Sequence, residues 1–277
     1  QVSAGITGGA QVNLSGDLDL QAGGAPSDAS LDAMMGEVRT SYVTDYDMES
    51  GSNGYTDDFK SAVGGESIVG VAGTLSVTLG NNANSVGLSY AQNNIQTSYI
   101  AEQDGNVTAS GHERVDALSR ADIVGVSAGL GATKGKFSGM GSASVNLIGQ
   151  QTQARVSGGT VNADSLAVES GTSGNLFSLA GNLSFAVGSG SGTAAGAAVA
   201  YTQTGTRTFS DGSDSLSTRA SGNEASISHT VVNVGAGDVA VRANNTSDTM
   251  ALAASGAAGD GNLAFAGAAT WNEIGDV

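Results

Sequence analysis

The sequence predicts an all-β protein built as a parallel β-solenoid (β-helix), a rod in which strands stack coil upon coil. Three observations predict this fold class: large side chains are scarce, apolar and polar residues alternate, and similar segments recur about every 55 residues. A β-sandwich filament subunit is the alternative fold that the same observations leave open.

The composition limits the thickness of the core. Among 277 residues there are 43 glycines and one proline, and aromatic residues make up 5%. A thick interior needs large side chains to reach close-packed density, whereas small and β-branched residues suit a thin core between sheets. The single proline also agrees with strands that donate hydrogen bonds to neighbours on both sides.

The charge and the absence of cysteine exclude several classes of partner. The formal net charge is −16, with 10 Lys and Arg against 26 Asp and Glu, so the chain repels nucleic acid and anionic lipid. There is no cysteine, hence no disulfide framework and no thiolate metal site. The long uncharged stretches 67–101 and 170–206 are interrupted by Gly, Asn, Ser and Thr. We therefore expect no nucleic-acid partner and no membrane insertion.

Internal repetition is visible at two sets of positions. Segments that resemble "SIVGVAGTLSVTLG" begin with Ile68, Ile123, Leu176 and Met250 as their leading apolar residues. A glycine follows each of them at nearly the same intervals, at Gly87, Gly141, Gly196 and Gly267. We predict that 1–277 is a single elongated segment of about four to five degenerate repeats of ~55 residues. Polar insertions are predicted near 39–60 and near 208–223, where the last interval is longer than the others.

A third set of apolar positions recurs as Val12, Leu18 and Leu20, as Val161, Leu166 and Val168, and as Val234, Val239 and Val241. Apolar residues alternate in all of these segments, which is the period of a β-strand. The stacked core is predicted at Ile68, Val71, Ile123, Val126, Leu176 and Leu179, and tight places at Gly87, Gly141 and Gly196. With two to three coils in each repeat, the rod would hold roughly ten to fourteen coils over about 50–65 Å.

One motif invites a catalytic interpretation. The segment 125–129, "GVSAG", fits G-x-S-x-G, the nucleophile elbow of serine hydrolases. In the repeat, however, Ser127 takes the place of Ala72 and Ala180, inside a strand that no helix follows. Neither of the two histidines stands in a partner motif. We therefore interpret Ser127 as a small core residue and predict no enzyme activity.

Residues 154–202 carry packing motifs: a GG-x-V-N-A-x-x-L turn and strand, an S-L-A-G strand and a G-A-A-V-A run. In these motifs the chain resembles the repeats of large bacterial filamentous adhesins, of the filamentous-haemagglutinin and leukotoxin-like type. The resemblance implies a right-handed parallel β-solenoid shaft that is secreted across the outer membrane by a partner pore and displayed at the cell surface. It contains no catalytic residue that could be carried over.

The two ends of the sequence join into a pattern that also occurs within it. The segment "NEIGDV" followed by "QVSAGITGGAQV" is close to the internal "NLIGQQTQARVSGGTV". We therefore expect copies of the chain to stack end to end, or the chain to continue a longer array.

An acidic cluster is the main candidate metal site. Asp45, Asp47 and Glu49 alternate in "DYDMESG", and Ca²⁺ takes six to eight oxygen ligands from acidic loops. The glycine comes one residue late and no closing glutamate follows. Calcium is thus a weak candidate here and a weaker one at 210–215, and no other cofactor is predicted.

The predicted function is that of a non-enzymatic extracellular structural protein, the shaft of a bacterial surface adhesin or filament. Its partners are then copies of itself, with host or cell-surface glycans as further candidates. Three alternatives stay open: a self-polymerising filament subunit joined by strand complementation, a polysaccharide-acting β-helix enzyme or phage fibre, and a solenoid that binds ice.

Overall fold

The computed structural model describes residues 1–23, 65–80, 83–188, 192–205, 222–261 and 263–275. In these residues the chain is all-β and contains no helix. The strands are β1 (Val2–Leu14), β2 (Leu18–Gly23), β3 (Gly65–Thr78), β4 (Asn84–Ala109), β5 (His112–Thr133), β6 (Phe137–Ser157), β7 (Thr160–Ala163), β8 (Ser165–Ala186), β9 (Thr193–Thr204), β10 (Gly222–Ser228), β11 (Val231–Val234), β12 (Val239–Gly259) and β13 (Ala264–Ile274).

The strands form two sheets, and every pairing between the described strands is parallel. The eight-stranded sheet contains β1, β4, β6, β7, β9, β10, β11 and β13, and the five-stranded sheet contains β2, β3, β5, β8 and β12. A tight hairpin cannot connect parallel neighbours. The chain therefore crosses to the other sheet and returns before it pairs with itself again.

Each return adds one layer to each sheet. By a layer we mean one strand, or two strands that follow one another in line, at the same level of the stack. β5 pairs with β8 from His112↔Ser165 to Thr133↔Ala186, and β4 pairs with β6 from Asn84↔Phe137 to Asp104↔Ser157. Partners in both pairings have the same separation along the chain, 53 positions, as in His112 with Ser165 and Asn93 with Asn146. One sequence period thus gives one layer per sheet, and the prediction of two to three coils per repeat is wrong.

The layers are consequently few and wide. The five-stranded sheet has four layers: β2 with β3, then β5, β8 and β12. At ~4.8 Å per layer they occupy about 19 Å along the stacking direction, far less than the predicted length of about 50–65 Å. The longest strand, β4, has 26 residues, which extend about 85 Å.

The register of β3, β5 and β8 confirms half of the predicted core. Ile68, Ile123 and Leu176 pair with one another and pack together inside. Val71, Val126 and Leu179 also pair with one another, but they lie on the outer face, where Val71 is 74% exposed. Their assignment to the core between the sheets is wrong, because a separation of three residues reverses the face of a strand. Val126 and Leu179 are instead half-buried against Val124 and Phe177 on the outer face. Met250 is one residue out of step, since Thr249 pairs with Leu176.

The predicted glycines lie at tight places. A Cβ would come within 2.8 Å of Met140 Sδ at Gly87, 2.9 Å of Leu88 Cδ1 at Gly141 and 2.6 Å of Asn182 Oδ1 at Gly196. Gly87 and Gly196 both pair with Met140, whereas Gly141 pairs with Leu88 and is one residue out of step.

The third predicted set is confirmed except at one position. Val12 and Val161 both pair with Val107, and Leu18 and Leu166 both pair with Glu113. In the next layer it is Val232, two residues before the predicted Val234, that pairs with Val161.

Three layers of the eight-stranded sheet bend at the same point. Gly8 and Gly9 in β1 have φ of 74° and 69°, and Gly158 and Gly159 between β6 and β7 both have φ of 72°. In the next layer, between β10 and β11, His229 adopts φ of 55°. Glycine suits the left-handed region because it has no Cβ, so the histidine carries strain that the glycines avoid.

Candidate functional site

The sheets enclose two different interiors. We call the side of the β1–β2, β4–β5, β7–β8 and β11–β12 connections the apolar-core half, because its interior contains Tyr99, Val107, Val115, Val156, Val161, Leu166 and Val168. Charged residues lie on its outer faces. Arg155 forms an ion pair with Glu224 at 2.6 Å, and Arg242 forms one with Glu169 at 2.9 Å.

The side of the β3–β4, β5–β6, β8–β9 and β12–β13 connections is the polar-core half. Its interior consists largely of serine, asparagine, glycine and alanine, and its polar side chains hydrogen bond both to the facing sheet and within their own sheet. Asn146 donates to the carbonyl oxygen of Phe177 at 2.6 Å, and the Ser178 hydroxyl donates to the carbonyl oxygen of Ser144 at 2.9 Å. The Asn93 amide donates to Asn146 Oδ1 at 2.9 Å. Small side chains let the sheets approach closely enough for these bonds.

The outer face of the five-stranded sheet in the polar-core half is apolar. Its residues pair in columns across the layers: Val71, Val126, Leu179 and Leu252; Gly73, Ala128, Gly181 and Ala254; Leu75, Leu130, Leu183 and Gly256; Val77, Ala132, Phe185 and Ala258. Leu75 is 70% exposed and Leu183 is 50% exposed. This half is therefore inverted relative to an ordinary soluble sheet packing, with polar groups inside and apolar groups outside.

The motif serine belongs to the polar interior. Ser127 is fully buried in β5 and pairs with Ala72 and Ala180. Its hydroxyl donates to Ser89 Oγ at 2.9 Å. As predicted, Ser127 is a small interior residue of a strand that continues to Thr133.

The candidate calcium ligands Asp45, Asp47 and Glu49 lie outside the described residues, as do the insertion 39–60 and all but the last two residues of 208–223. Within the described ranges, no three His, Cys, Asp or Glu side chains are grouped closely enough to hold a metal ion. The same ranges contain no helix with the length and apolar character needed to cross a membrane.

A buried polar pair interrupts the apolar core of one layer. Gln103 is fully buried at a position where the other layers have Ile6, Val156 and Ile227. Glu113 is 1% exposed and stands between Leu18 and Leu166. Burial raises the pKa of Glu113 to about 7, and the Gln103 amide opposes this rise only in part.

A second buried acid lies on the outer side of the same strand. Burial raises the pKa of Asp116 to about 7, although the Arg114 guanidinium opposes the rise. Arg114 contacts Asp116 and also lies 3.4 Å from Glu169. Glu169 in turn pairs with Arg242, so the charges alternate across β5, β8 and β12.

The described strands leave sheet edges of complementary outline at the two ends of the stack. At one end β1 pairs with β4 only from Val2↔Tyr99 to Leu14↔Ala109, so no described strand covers 84–98 on that side. At the other end β13 covers β9 from Ala264↔Ala194 to Ile274↔Thr204, and no described strand covers β10 or β11. Through β9 and β6, the register of β13 corresponds to 85–95 of β4.

Sequence reasoning missed the inversion and both buried acids. The alternation of Leu75, Val77 and Leu79 with Ser76 and Thr78 indicates a strand, but it does not tell which side faces inward. Glu113 could have been found, because the aligned third set of positions places it opposite Leu18 and Leu166.

Comparison of the chain with protein families, with curated proteins and with solved structures finds no match.

Proposed function

We propose that the chain is a non-enzymatic, extracellular structural protein, a β-solenoid segment of the shaft of a bacterial surface adhesin or filament. In this proposal the solenoid is right-handed and contains about four to five degenerate repeats. Copies of the chain stack end to end, so that the repeats continue from one copy to the next. Parallel strands in two sheets support the solenoid, as does the shared separation of 53 positions in the β4–β6 and β5–β8 pairings, as between Asn93 and Asn146.

The observation that carries the proposal is the complementary outline of the two open edges. In a stack of copies, β13 of one copy would occupy the uncovered first part of β4 in the next copy. β1 of that next copy would then occupy the uncovered edges of β10 and β11. Unpaired backbone groups at an edge are a template for another strand, and here each partial layer completes the other.

Side chains match across this junction. Asn93, Asn146, Thr202 and Asn272 share one register position in successive layers, so Asn272 would meet Asn93 of the next copy. Thr202 already hydrogen bonds to Asn272, with its hydroxyl 2.5 Å from Oδ1. Stacked amides of this kind stabilise layered β-structures, and the junction would continue the series.

The first experiment is negative-stain and cryo-electron microscopy of the purified protein. We expect unbranched fibres with a layer spacing of about 4.8 Å and an axial repeat of about 19 Å, one copy per four layers. Separate particles at all concentrations would overturn end-to-end stacking.

Two matched proline variants test the junction itself. In a parallel strand, alternate residues direct their backbone groups to opposite neighbours. Of Ala268→Pro and Ala269→Pro in β13, one therefore removes an N–H that faces β9 and the other an N–H that faces the open edge. We expect the variant whose missing N–H faces the open edge to keep the thermal stability of the monomer and to lose fibre growth. Equal fibre growth by both variants would contradict the proposed junction.

The strand-complementation alternative makes a different prediction. There the N-terminal strand would leave its own chain and pair with a neighbour. In the present structure β1 pairs with β4 of the same chain, so donation would first have to break that pairing. Deletion of 1–14 distinguishes the two: complementation predicts complete loss of assembly, whereas stacking predicts weaker fibres that still grow through β3 and β12.

A further inference from the structure

The outer face of the five-stranded sheet in the polar-core half has a regular relief. We define the lateral face as the outward residues at 69–77 of β3 and the residues paired with them in β5, β8 and β12. No outward residue of the lateral face carries a charge, although the chain has a net charge of −16. Apolar patches of this kind mark interaction surfaces, because their exposure to water is unfavourable.

The relief consists of ridges and a groove. The column of Gly73, Ala128, Gly181 and Ala254 forms the groove, since none of its side chains exceeds a methyl group. One ridge is formed by Val71, Val126, Leu179 and Leu252, and the other by Leu75, Leu130 and Leu183. Along each strand the groove and the second ridge are neighbouring outward positions, about 6.6 Å apart.

This arrangement is complementary to itself. A two-fold axis along the stacking direction, placed between groove and second ridge, brings the leucine ridge of each copy into the groove of the other. The same axis places Val71 opposite Val77 and Leu179 opposite Phe185 of the other copy. It preserves the stacking direction, so two stacks related by it would run the same way. Isologous contacts of this kind are the commonest in homo-oligomers.

The size of the lateral face also fits a second copy. About 30 Å along the strands and about 19 Å across four layers give roughly 600 Å² for each partner. Two such faces total about 1,200 Å², which is the lower end of the range for specific interfaces. A standard interface buries roughly 800 Å² on each partner. In a stack the face recurs with every copy, so weak contacts between individual copies would add up.

We propose that the lateral face binds the lateral face of a second copy of this chain, with the Leu75–Leu130–Leu183 ridge in the partner's Gly73–Ala128–Gly181–Ala254 groove. The contact joins stacks side by side. It is separate from the end-to-end junction, and either can form without the other.

Gly181→Leu is the decisive variant. A Cβ at Gly181 would find its nearest atom, the carbonyl oxygen of Ala254, 3.9 Å away, so the monomer has room for the side chain. Leucine adds apolar surface but fills the groove. A shape-specific contact between copies is therefore weakened by at least about tenfold, whereas general hydrophobic adhesion is unchanged or strengthened. Leu183→Asp weakens both, and Ser173→Asp, outward on β8 but outside the lateral face, is the matched control.

The measurements are the width of fibres in electron micrographs and the mass of unstacked protein by light scattering. We expect the wild type and Ser173→Asp to form paired fibres or dimers, and Gly181→Leu and Leu183→Asp to form single ones. Circular dichroism and thermal unfolding check that each variant is folded. Should a variant not fold, fluorescence quenching of a label at Ser173 and at Leu183 compares burial of the two sites on assembly.

Every outcome separates the two proposals. If wild-type fibres are single and Gly181→Leu fibres have the same width, the lateral contact is overturned and stacking is left intact. Dimers without fibres, lost in Gly181→Leu, would support the lateral contact and overturn stacking. Flotation of wild type and Gly181→Leu alike with phosphatidylcholine vesicles, without pairing, would identify hydrocarbon as the partner and overturn the inference.

Discussion

At the scale of single residues, Glu113 is the strongest departure from the pattern of the fold. Its neighbours at the same register position are Leu18 and Leu166, and Gln103 faces it from the other sheet. An ionised carboxylate in such an interior loses its hydration, so burial raises the pKa of the group well above its usual value. Glu113 therefore makes the stability of its layer depend on pH.

We predict that wild-type stability falls as the pH rises. The pKa of Glu113 is about 7 in the folded protein against 4.5 for an ordinary glutamate. The folded state therefore holds this proton more tightly, and the stabilisation present below about pH 4.5 is lost as the pH rises through 7. Asp116 contributes in the same direction. Glu113→Gln should flatten the dependence by on the order of 1–3 kcal/mol between pH 5 and 8. Urea unfolding at the two pH values measures this, and parallel loss in both proteins would contradict it.

We also predict that His229→Gly stabilises the fold. Non-glycine residues in the left-handed region are strained, and the adjacent β6–β7 layer has Gly158 and Gly159 at the same bend. Relief of that strain exceeds the entropy cost of glycine, so the free energy of unfolding should rise by about 0.5–1 kcal/mol. Thr230→Gly, next to it, is the control and should destabilise. A lower midpoint of urea unfolding for His229→Gly would show that the bend holds no strain.

At the scale of strands, the sequence predicts existence and register better than orientation. Alternation of Leu75, Val77 and Leu79 indicates β3, and the match of Ile68 with Ile123 gives the register of β3 against β5. Which face turns inward depends on the facing sheet, and no single strand contains that information. Two sheets with serine, glycine and alanine on one side can approach closely through that side, and cross-sheet hydrogen bonds then satisfy buried hydroxyls such as those of Ser178 and Ser184.

The sequence did not predict the number of layers, nor did it predict which strands form the open edges. A period of about 55 residues fits either several short strands or two long ones, since glycine and asparagine occur at turns and within strands alike. Asn146 illustrates the ambiguity: its residue type suggests a corner, but it lies buried in the middle of β6. The end edges were anticipated only as a similarity between the two ends of the sequence, because pairing partners define an edge.

We predict that the interior asparagines of the polar-core half stabilise these strands. Asn146→Ala leaves the Asn93 amide and the carbonyl oxygen of Phe177 without their partner and opens a cavity. Both effects destabilise, so the free energy of unfolding should fall by about 2–4 kcal/mol. Asn94→Ala, exposed on the outer face of β4, is the control and should change it by less than about 0.5 kcal/mol. Equal effects of the two substitutions would contradict a structural role for the buried amide.

At the scale of the whole molecule, charge and assembly oppose each other. A net charge of −16 on each copy makes neighbouring copies in a stack repel one another. We predict that fibre growth accelerates, and that the critical concentration falls severalfold, between 20 and 200 mM NaCl, because the Debye length shortens from about 20 Å to about 7 Å. Light scattering measures the growth, with sucrose at matched osmolality as the control. Growth that slows with salt would show that attraction between charges drives assembly.

The width of the layers has a mechanical consequence. Adjacent layers are joined along the full length of β5, which has 22 residues, and along the full length of β6, which has 21 residues. Their backbone hydrogen bonds lie along the stacking direction. A pull along that direction is shared by all bonds of a layer at once, so they must fail together rather than one after another. A flat fibre of this construction would resist tension in proportion to its breadth, and a peeling force at one sheet margin would be the easiest way to break it.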